Sequence, residues 1–589
     1  NDFAGHPPAN DVLAAFTNLV LYQKLGILGD IESHHLFEVF AVFLLIIGVS
    51  IFTYIEFGIF PSLVASASLA SYPLVFSESH FNIKDPVEMS FYGLAIIFFN
   101  FAFKKKNWKL LITSAIFAGL ALGTKFNIVF MPFIVIPWLF VYYALQKRTS
   151  LQSPKIFKRS LVMLFVYSLL AIAIFYAFWP ILWENPIEKI KLVLDFYWKN
   201  GTTVLPEVSQ YILRGFNLFP ITWILYTTPF PILVLSFIGF LVSLLKLVKD
   251  KKHIYLLILL WFLVPIFRVS LPHTAIHSGV RHIMEFIPAM AILSGLGGKF
   301  LYEYSARKFV KVSTILLLFL SCGFILYELV RIHPNENVYF NQFIGGLYGA
   351  AQKGIPFWGN SYGNAYLQGV KWLNENAEPD SKLTLLLGAT INIPRQKLRA
   401  DIHFHNKYWS GPLNEGEYAM EMSHNYNQKS YFRYAYYEAF LNPVYEVKVE
   451  GIPILKIWKN SPEFIKNGFK EDVEIELLSQ KLVDGRLKID LGKVVMLTKI
   501  NIQHGSSECQ GQKEGYIMTS TDGVKWDRGP DLIDVPQSQP EVPPEKTGFT
   551  DTNFVFFFTG RNARHIIVNT DMLSSCFLKN PKVEVKGLK

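Results

Sequence analysis

Between His35 and Val330 one apolar block follows another, each long enough to cross roughly 30 Å of hydrocarbon as a helix. A segment in lipid must satisfy its own backbone hydrogen bonds, so isolated blocks of this length fold as transmembrane helices. Candidate spans lie near 36–56, 58–76, 88–103, 110–124, 127–145, 160–182, 221–245, 254–272, 282–298 and 312–331, about ten in all. Tight turns at Phe57-Gly58 and around Lys125 leave each adjoining pair readable as two spans or as one bent helix. Of the 589 residues 51% are hydrophobic, and the excess belongs to this first part, because the chain reads as soluble after Pro334.

The net charge of +10 is not gathered on a soluble surface, as a nucleic-acid partner would require. It falls instead in short connections between apolar blocks. Lys104 to Lys106 with Lys109 form one cluster, and Lys147, Arg148, Lys155, Lys158 and Arg159 the next. Lys246, Lys249, Lys251 and Lys252 form a third, and Lys299, Arg307, Lys308 and Lys311 a fourth. Cytoplasmic loops carry this excess under the positive-inside rule. The alternation then places 1–35, 77–87, 183–220, 273–281 and everything after about 332 outside. Three cysteines are too few for a disulfide framework or a zinc site, although Cys509 and Cys576 could pair in an oxidising compartment. The chain opens on Asn1, and the expectation is a truncated N-terminus.

The fold class expected is a polytopic α-helical membrane protein followed by extracytoplasmic α/β and β-sandwich domains. The boundaries are 1–334 for the membrane part, 335–465 for the α/β domain and 466–589 for the sandwich. A helical stretch from Tyr366 to Asn376 and a strand-like run from Leu383 to Leu387 support the α/β reading. Alternating runs such as Leu487 to Leu491 and Lys499 to Gln503, with a Pro-rich insertion from Pro536 to Pro544, support the sandwich.

Polar residues at helix mouths on one side of a membrane point to a site there. The outer loops contain His6-Pro7-Pro8, then Glu78-Ser79-His80-Phe81-Asn82-Ile83-Lys84-Asp85-Pro86, then Trp179-Pro180 and Gly279-Val280-Arg281-His282. With Gly119 to Lys125 and the segment Tyr339-Phe340-Asn341 to Gly345-Gly346, this ordered set resembles the GT-C superfamily over roughly residues 1–375. Within it, the phospholipid-carrier-dependent glycosyltransferases of protein O-mannosyltransferase type are most similar. Ser520 to Trp526 resembles part of a discoidin or coagulation-factor-type C domain, so the sandwich is expected to bind carbohydrate or the cell surface. Trp526 is either a stacking platform for a sugar or a core or turn residue.

The resemblance implies a hexosyltransferase of GT-C type that moves a sugar, mannose being the family's commonest donor, from a polyprenyl-phosphate carrier to a protein, lipid or glycan acceptor. It implies inversion by single displacement and location as a multi-pass protein of the bacterial cell membrane, the C-terminal domains being extracytoplasmic. It also implies an acidic residue upstream of Asn1, for which Asp2 is a poor substitute. Partners are the lipid-linked sugar, the acceptor and membrane lipid, with no nucleic acid.

Such a transfer needs a carboxylate to take the acceptor proton and fixed cations to stabilise the departing phosphate. Arg281 is assigned to the phosphate, because its guanidinium stays charged and offers several donors; an interfacial Arg reaching to lipid headgroups is the plainer alternative. Lys125 is a second phosphate candidate, or a helix-end anchor. Glu78 and His80, the catalytic candidates, lie two apart, so an extended backbone would turn both to one side. They would assist the base, orient the acceptor or contact a divalent metal, although a metal needs more ligands than this pair supplies. No cofactor is expected and no metal ligand is assigned. Asp85 reads as the N-cap of the next helix with Pro86 in its first turn, and also as a substrate contact. His6, before an amphipathic stretch from Ala9 to Leu28, and His282 complete the substrate-binding candidates. A transporter or flippase for a lipid-linked sugar is the alternative class; it predicts paired broken helices and an internal repeat. A membrane-anchored carbohydrate-binding protein is the third reading.

Overall fold

A computed structural model describes residues 6–145, 154–204, 206–274, 276, 279–360, 363–386, 393–404, 410–411, 414–423, 432–469, 472–483, 486–503, 516–528, 532–533, 549–550, 553–569 and 581–588. Lys147, Arg148, Cys509, Cys576, Asp2 and the Pro-rich insertion lie outside the described residues. The chain divides into two compact units, Asn1–Asn360 and Ser361–Lys589.

The first unit is helical. In chain order its helices are α1 Ala9–Asn18, α2 Asp30–Phe57, α3 Ile59–Ala70, α4 Pro73–Glu78, α5 Asp85–Lys105, α6 Trp108–Leu122 and α7 Pro132–Leu145. They continue as α8 Pro154–Phe178, α9 Pro186–Thr202, α10 Phe219–Thr227, α11 Phe230–Lys249, α12 His253–Arg268, α13 Ile287–Glu303 and α14 Lys308–Ile332. Among the described residues seven helical segments are long and apolar enough to cross a membrane, and α3, α6 and α12 are shorter apolar helices beside them. The protein is therefore an integral, polytopic membrane protein.

Both ambiguous pairs are separate helices. Gly58, at φ 99°, ends α2 in a backbone region that residues with a Cβ rarely enter. Lys125 is extended between α6 and a 3₁₀ turn, Phe126–Phe130. The span expected at 221–245 is broken at Thr228, because Pro229 pushes the preceding residue out of helical geometry. Asn341 closes that break: its Nδ2 donates to the carbonyls of Leu225 and Thr228, each at 2.7 Å. The amphipathic stretch from Ala9 is helical to Asn18, continues as a π-type turn through Lys24, and ends before Gly26 at φ 61°. Phe16, Tyr22 and Leu25 on it are exposed.

Burial orders the helices. In α5 94% of the apolar window is buried inside the protein and in Gly279–Glu303 89%, against 11% for α14 and 17% for α8, so the first two are central. Helices pack in lipid where small residues let backbones approach. A Cβ on Gly239 of α11 would lie 1.8 Å from the Leu293 carbonyl oxygen, and one on Gly297 of α13 would lie 2.0 Å from that of Leu235.

Among its described residues the second unit contains two sheets. In the five-stranded one, 382–385 pairs in parallel with 403–404 and 418–422, and 418–422 pairs antiparallel with 452–459, which forms a hairpin with 445–449. Helices Gly363–Asn376 and Phe432–Phe440 belong to the same region, giving the expected α/β character. The other sheet has nine strands built around two long antiparallel partners, Arg486–Gln503 and Asn553–Asn569. Leu487, Ile489, Leu491, Val495 and Leu497 point inward in one phase, and the register shift between Leu497 and Lys499 rephases the strand so that Ile500 and Ile502 also reach the core. Trp526 is half-buried after a turn in which Asp522 Oδ1 accepts the Val524 and Lys525 N–H groups.

Candidate active site

The two central segments begin at the same place. Helix α5 starts at Asp85, and Gly279–Phe286 is a 3₁₀ segment leading into α13. Gly279 sits at φ 73°, with its α-carbon so close to the Trp223 ring that a Cβ would lie 2.6 Å from it. Only glycine fits that turn without strain, and the turn delivers Arg281 and His282 to the mouth of α5.

Asp85 is not the N-cap of α5. It is the first helical residue, and the cap position before it is Lys84, which makes no side-chain cap. The capping role belongs to Asn82, whose Oδ1 accepts the N–H groups of Lys84 at 3.0 Å and Asp85 at 3.1 Å. Asn82 Nδ2 meanwhile donates to Glu78 Oε2 at 2.5 Å and to Asp85 Oδ2 at 2.9 Å, so one amide bridges two carboxylates. Asp85 is freed to bind cations: Lys125 Nζ lies 2.7 Å from Oδ1 and Arg281 Nη1 3.4 Å from Oδ2.

Lys125 also donates to His282, at 3.3 Å to Nδ1 and 3.4 Å to the carbonyl oxygen. An Nδ1 that accepts leaves the proton of a neutral ring on Nε2. The Arg281 side chain is 24% exposed against 10% for Lys125, so Arg281 is the more accessible cation and Lys125 the internal strut. Glu78, at the end of α4, is buried, and that burial raises its pKa to about 7 even though the Arg281 guanidinium pulls it down.

The extended Glu78–His80 arrangement does not form. Glu78 closes a helix, the chain turns at Ser79, and His80 Nδ1 bonds back to the Phe76 carbonyl at 2.7 Å with its ring against Phe76. His80 is exposed while Glu78 is buried, because successive residues on a helical turn point apart. His6 stands beside Tyr197, Nδ1 to hydroxyl 3.3 Å, and Tyr197 packs on Phe126 next to Lys125. Glu78, Asp85, Lys125, Arg281 and His282 thus converge, His6 stands at their edge beside Tyr197 and within reach of the Lys125 and Asp85 charges, and His80 is exposed.

Behind this cluster lies a second polar layer that the loop motifs did not reveal. Arg268, the last residue of α12, donates to Asn127 Oδ1 at 2.9 Å, to Glu285 Oε1 at 3.2 Å and to the His282 carbonyl at 3.2 Å. Asn127 Nδ2 donates to the same carbonyl at 2.9 Å. The loop bearing Arg281 and His282 is therefore clamped from three sides. Glu88, one turn along α5 from Asp85, is equally buried. The available signal was ionisable residues inside apolar spans, which are costly unless used. Trp179 of the Trp179-Pro180 motif is a buried wall, edge-on to Phe126 and Phe175.

Residues 12–173 match the family described as dolichyl-phosphate-mannose-protein mannosyltransferase, in agreement with the resemblance read from the ordered loops. Three solved structures are similar in part. ArnT from Cupriavidus metallidurans bound to undecaprenyl phosphate is 14% identical, with 77% of this chain and 88% of that one covered at a TM-score of 0.42. The archaeal oligosaccharyltransferase AglB from Archaeoglobus fulgidus, in complex with an inhibitory peptide and a dolichol-phosphate, is 11% identical, with 89% and 84% covered at 0.41. Arabinofuranosyltransferase AftD from Mycobacteria is 9% identical, with 94% and 52% covered at 0.34. No curated protein matches the chain.

Proposed function

We propose that the protein transfers a sugar from a polyprenyl-phosphate carrier to a protein, lipid or glycan acceptor on the outer face of the membrane, by a single inverting displacement. The observation that carries this reading is the buried cluster in which Asn82 joins Glu78 to Asp85 while Lys125 and Arg281 converge on Asp85. A sugar on a phosphate carrier already has a leaving group. The protein has to take a proton from the acceptor and hold the charge that develops on the phosphate.

Glu78 fits the first task, since a carboxyl whose pKa is raised to about 7 exchanges a proton near neutral pH. Arg281 fits the second, since it is the more exposed of the two cations and its guanidinium matches two phosphate oxygens at once. Lys125 and Asp85 hold Arg281 and His282 in register, and His282 offers its Nε2 proton to substrate. Mannose is the proposed sugar, on the strength of the family matched by residues 12–173.

The test is transfer of radiolabelled sugar from a panel of polyprenyl-phosphate sugars to membrane acceptors, with Arg281→Ala and Glu78→Gln beside the parent. Losing a charged contact made in the transition state lowers turnover by about a hundredfold or more. Parent activity that survives Arg281→Ala within a few fold removes the assignment. Movement of labelled carrier across proteoliposomes without any transfer replaces the enzyme by a flippase.

A further inference from the structure

The helical unit has a second polar site at the end away from the Asp85 cluster. Along α5, at 1.5 Å per residue, Lys104 lies roughly 28 Å from Asp85, about the thickness of the hydrocarbon layer. Helix α12 runs from His253 to Arg268, the residue that clamps the His282 loop, and α13 carries the chain from that loop to Lys299. Lys104, His253 and Lys299 therefore meet at the opposite mouth of the same helices. There they line a cavity of about 390 Å³, a size in the range of small-ligand sites, together with Lys251 and Lys252.

Four lysines line this cavity against one carboxylate, Glu56. Glu56 is already engaged: Lys104 Nζ donates to its two oxygens at 2.7 and 2.9 Å. Lys299 Nζ donates to the Phe57 carbonyl at 2.9 Å, with the exposed Glu303 at 3.9 Å. Lys251 and Lys252 are exposed at the rim. The wall also supplies neutral donors. His253 Nδ1 lies 3.1 Å from Trp138 Nε1, which can only donate, so a neutral ring keeps its proton on Nε2. The first turn of α12 has no side-chain cap, and a helix N-terminus favours negative charge. Phe57, Tyr142, Leu145 and Tyr255 give the same cavity an apolar and aromatic side, as at a membrane interface.

An excess of cations and donors beside apolar walls suits a small oxyanion that carries a hydrocarbon group. We propose that this cavity is an anion site for a phosphate ester, held by Lys251 and Lys252 beside His253 at the end of the bundle opposite the Asp85 cluster. The phosphate comes either from a lipid headgroup or from free phosphate in solution.

The full chain in a phosphate-free maltoside detergent separates the two sources. Native mass spectrometry counts retained phosphatidylglycerol, and thermal unfolding is followed during titration with phosphatidylglycerol or inorganic phosphate. The double variant Lys251→Gln/Lys252→Gln changes exposed side chains only, and Arg307→Gln/Lys308→Gln serves as a basic-loop control. With each surface lysine contributing a few-fold to anionic-lipid binding, retention by the double variant falls about tenfold while the control is unchanged. A saturable stabilisation by inorganic phosphate that the same double variant abolishes assigns the site to free phosphate instead of a headgroup. Equal retention and equal phosphate response in parent and double variant, or an equal loss in the control, overturns the proposal.

Discussion

At the scale of single residues the proposed base is Glu78. Its pKa, ordinarily 4.5, is raised to about 7 because burial disfavours the charged form more than Arg281 favours it. Between those two values the folded protein holds a proton that the unfolded chain releases. The contribution of Glu78 to stability is thus greatest below pH 4.5 and is lost as pH rises through 7. The thermal midpoint of the parent should decline over that window, by a margin worth at most about 3 kcal/mol, and Glu78→Gln should flatten the decline. As the proposed base the same group would work when deprotonated, so the proposed transfer should rise with pH through about 7 and lose that limb in Glu78→Gln. An unchanged pH–rate profile in the variant would remove Glu78 as the base. Of the residues that converge in the candidate site, Glu78, Asp85, Lys125, Arg281 and His282 were legible, since charged residues at the mouths of apolar blocks are conspicuous. Asn82, Asn127 and Glu285 were not. Their importance comes from partners that lie close only after the helices pack, such as the Glu78–Asp85 bridge and the His282 carbonyl.

At the scale of elements, glycine decides how closely the central helices approach. A methyl group on Gly297 would collide with the Leu235 carbonyl, whereas one on Gly298 would only touch Val64 at 3.4 Å. Gly297→Ala should therefore cost about 1–3 kcal/mol and lower the thermal midpoint in detergent, with Gly298→Ala close to the parent. Similar midpoints for the two variants would mean that α11 and α13 shift apart freely. Gly279→Ala is strained for a further reason, its positive φ, and should impair transfer more than folding because the turn it forms carries Arg281. Among the described residues, seven of the expected apolar blocks contain helical segments long and apolar enough to cross a membrane, whereas those at 58–76, 110–124 and 254–272 hold the shorter helices α3, α6 and α12. The break at Thr228 was signalled locally by Pro229, but its stabilisation by Asn341, more than a hundred residues away, had no local sign. The opposite directions of Glu78 and His80 were hidden because a short helix, not a strand, carries Glu78.

At the scale of the molecule, the basic connections predict which ends face the cytoplasm. In a background where the three natural cysteines are Ser, a cysteine at Lys106 should resist a membrane-impermeant thiol reagent in intact cells, and one at Glu184 or Glu446 should react. Labelling at Lys106 alone would invert the orientation and place the Asp85 cluster on the wrong side for an outer-face acceptor. The two central segments, α5 and Gly279–Glu303, are also the two least apolar of the seven. A translocon that sorts each segment by its own hydropathy retains these two least firmly. Because α5 leaves the ribosome long before Arg281 and Glu285 exist, Asp85 at first has only Asn82 and then Lys125 as partners, and Glu88 has yet to meet Glu285. The order of synthesis thus makes the centre of the finished protein the last part of it to become comfortable in the bilayer.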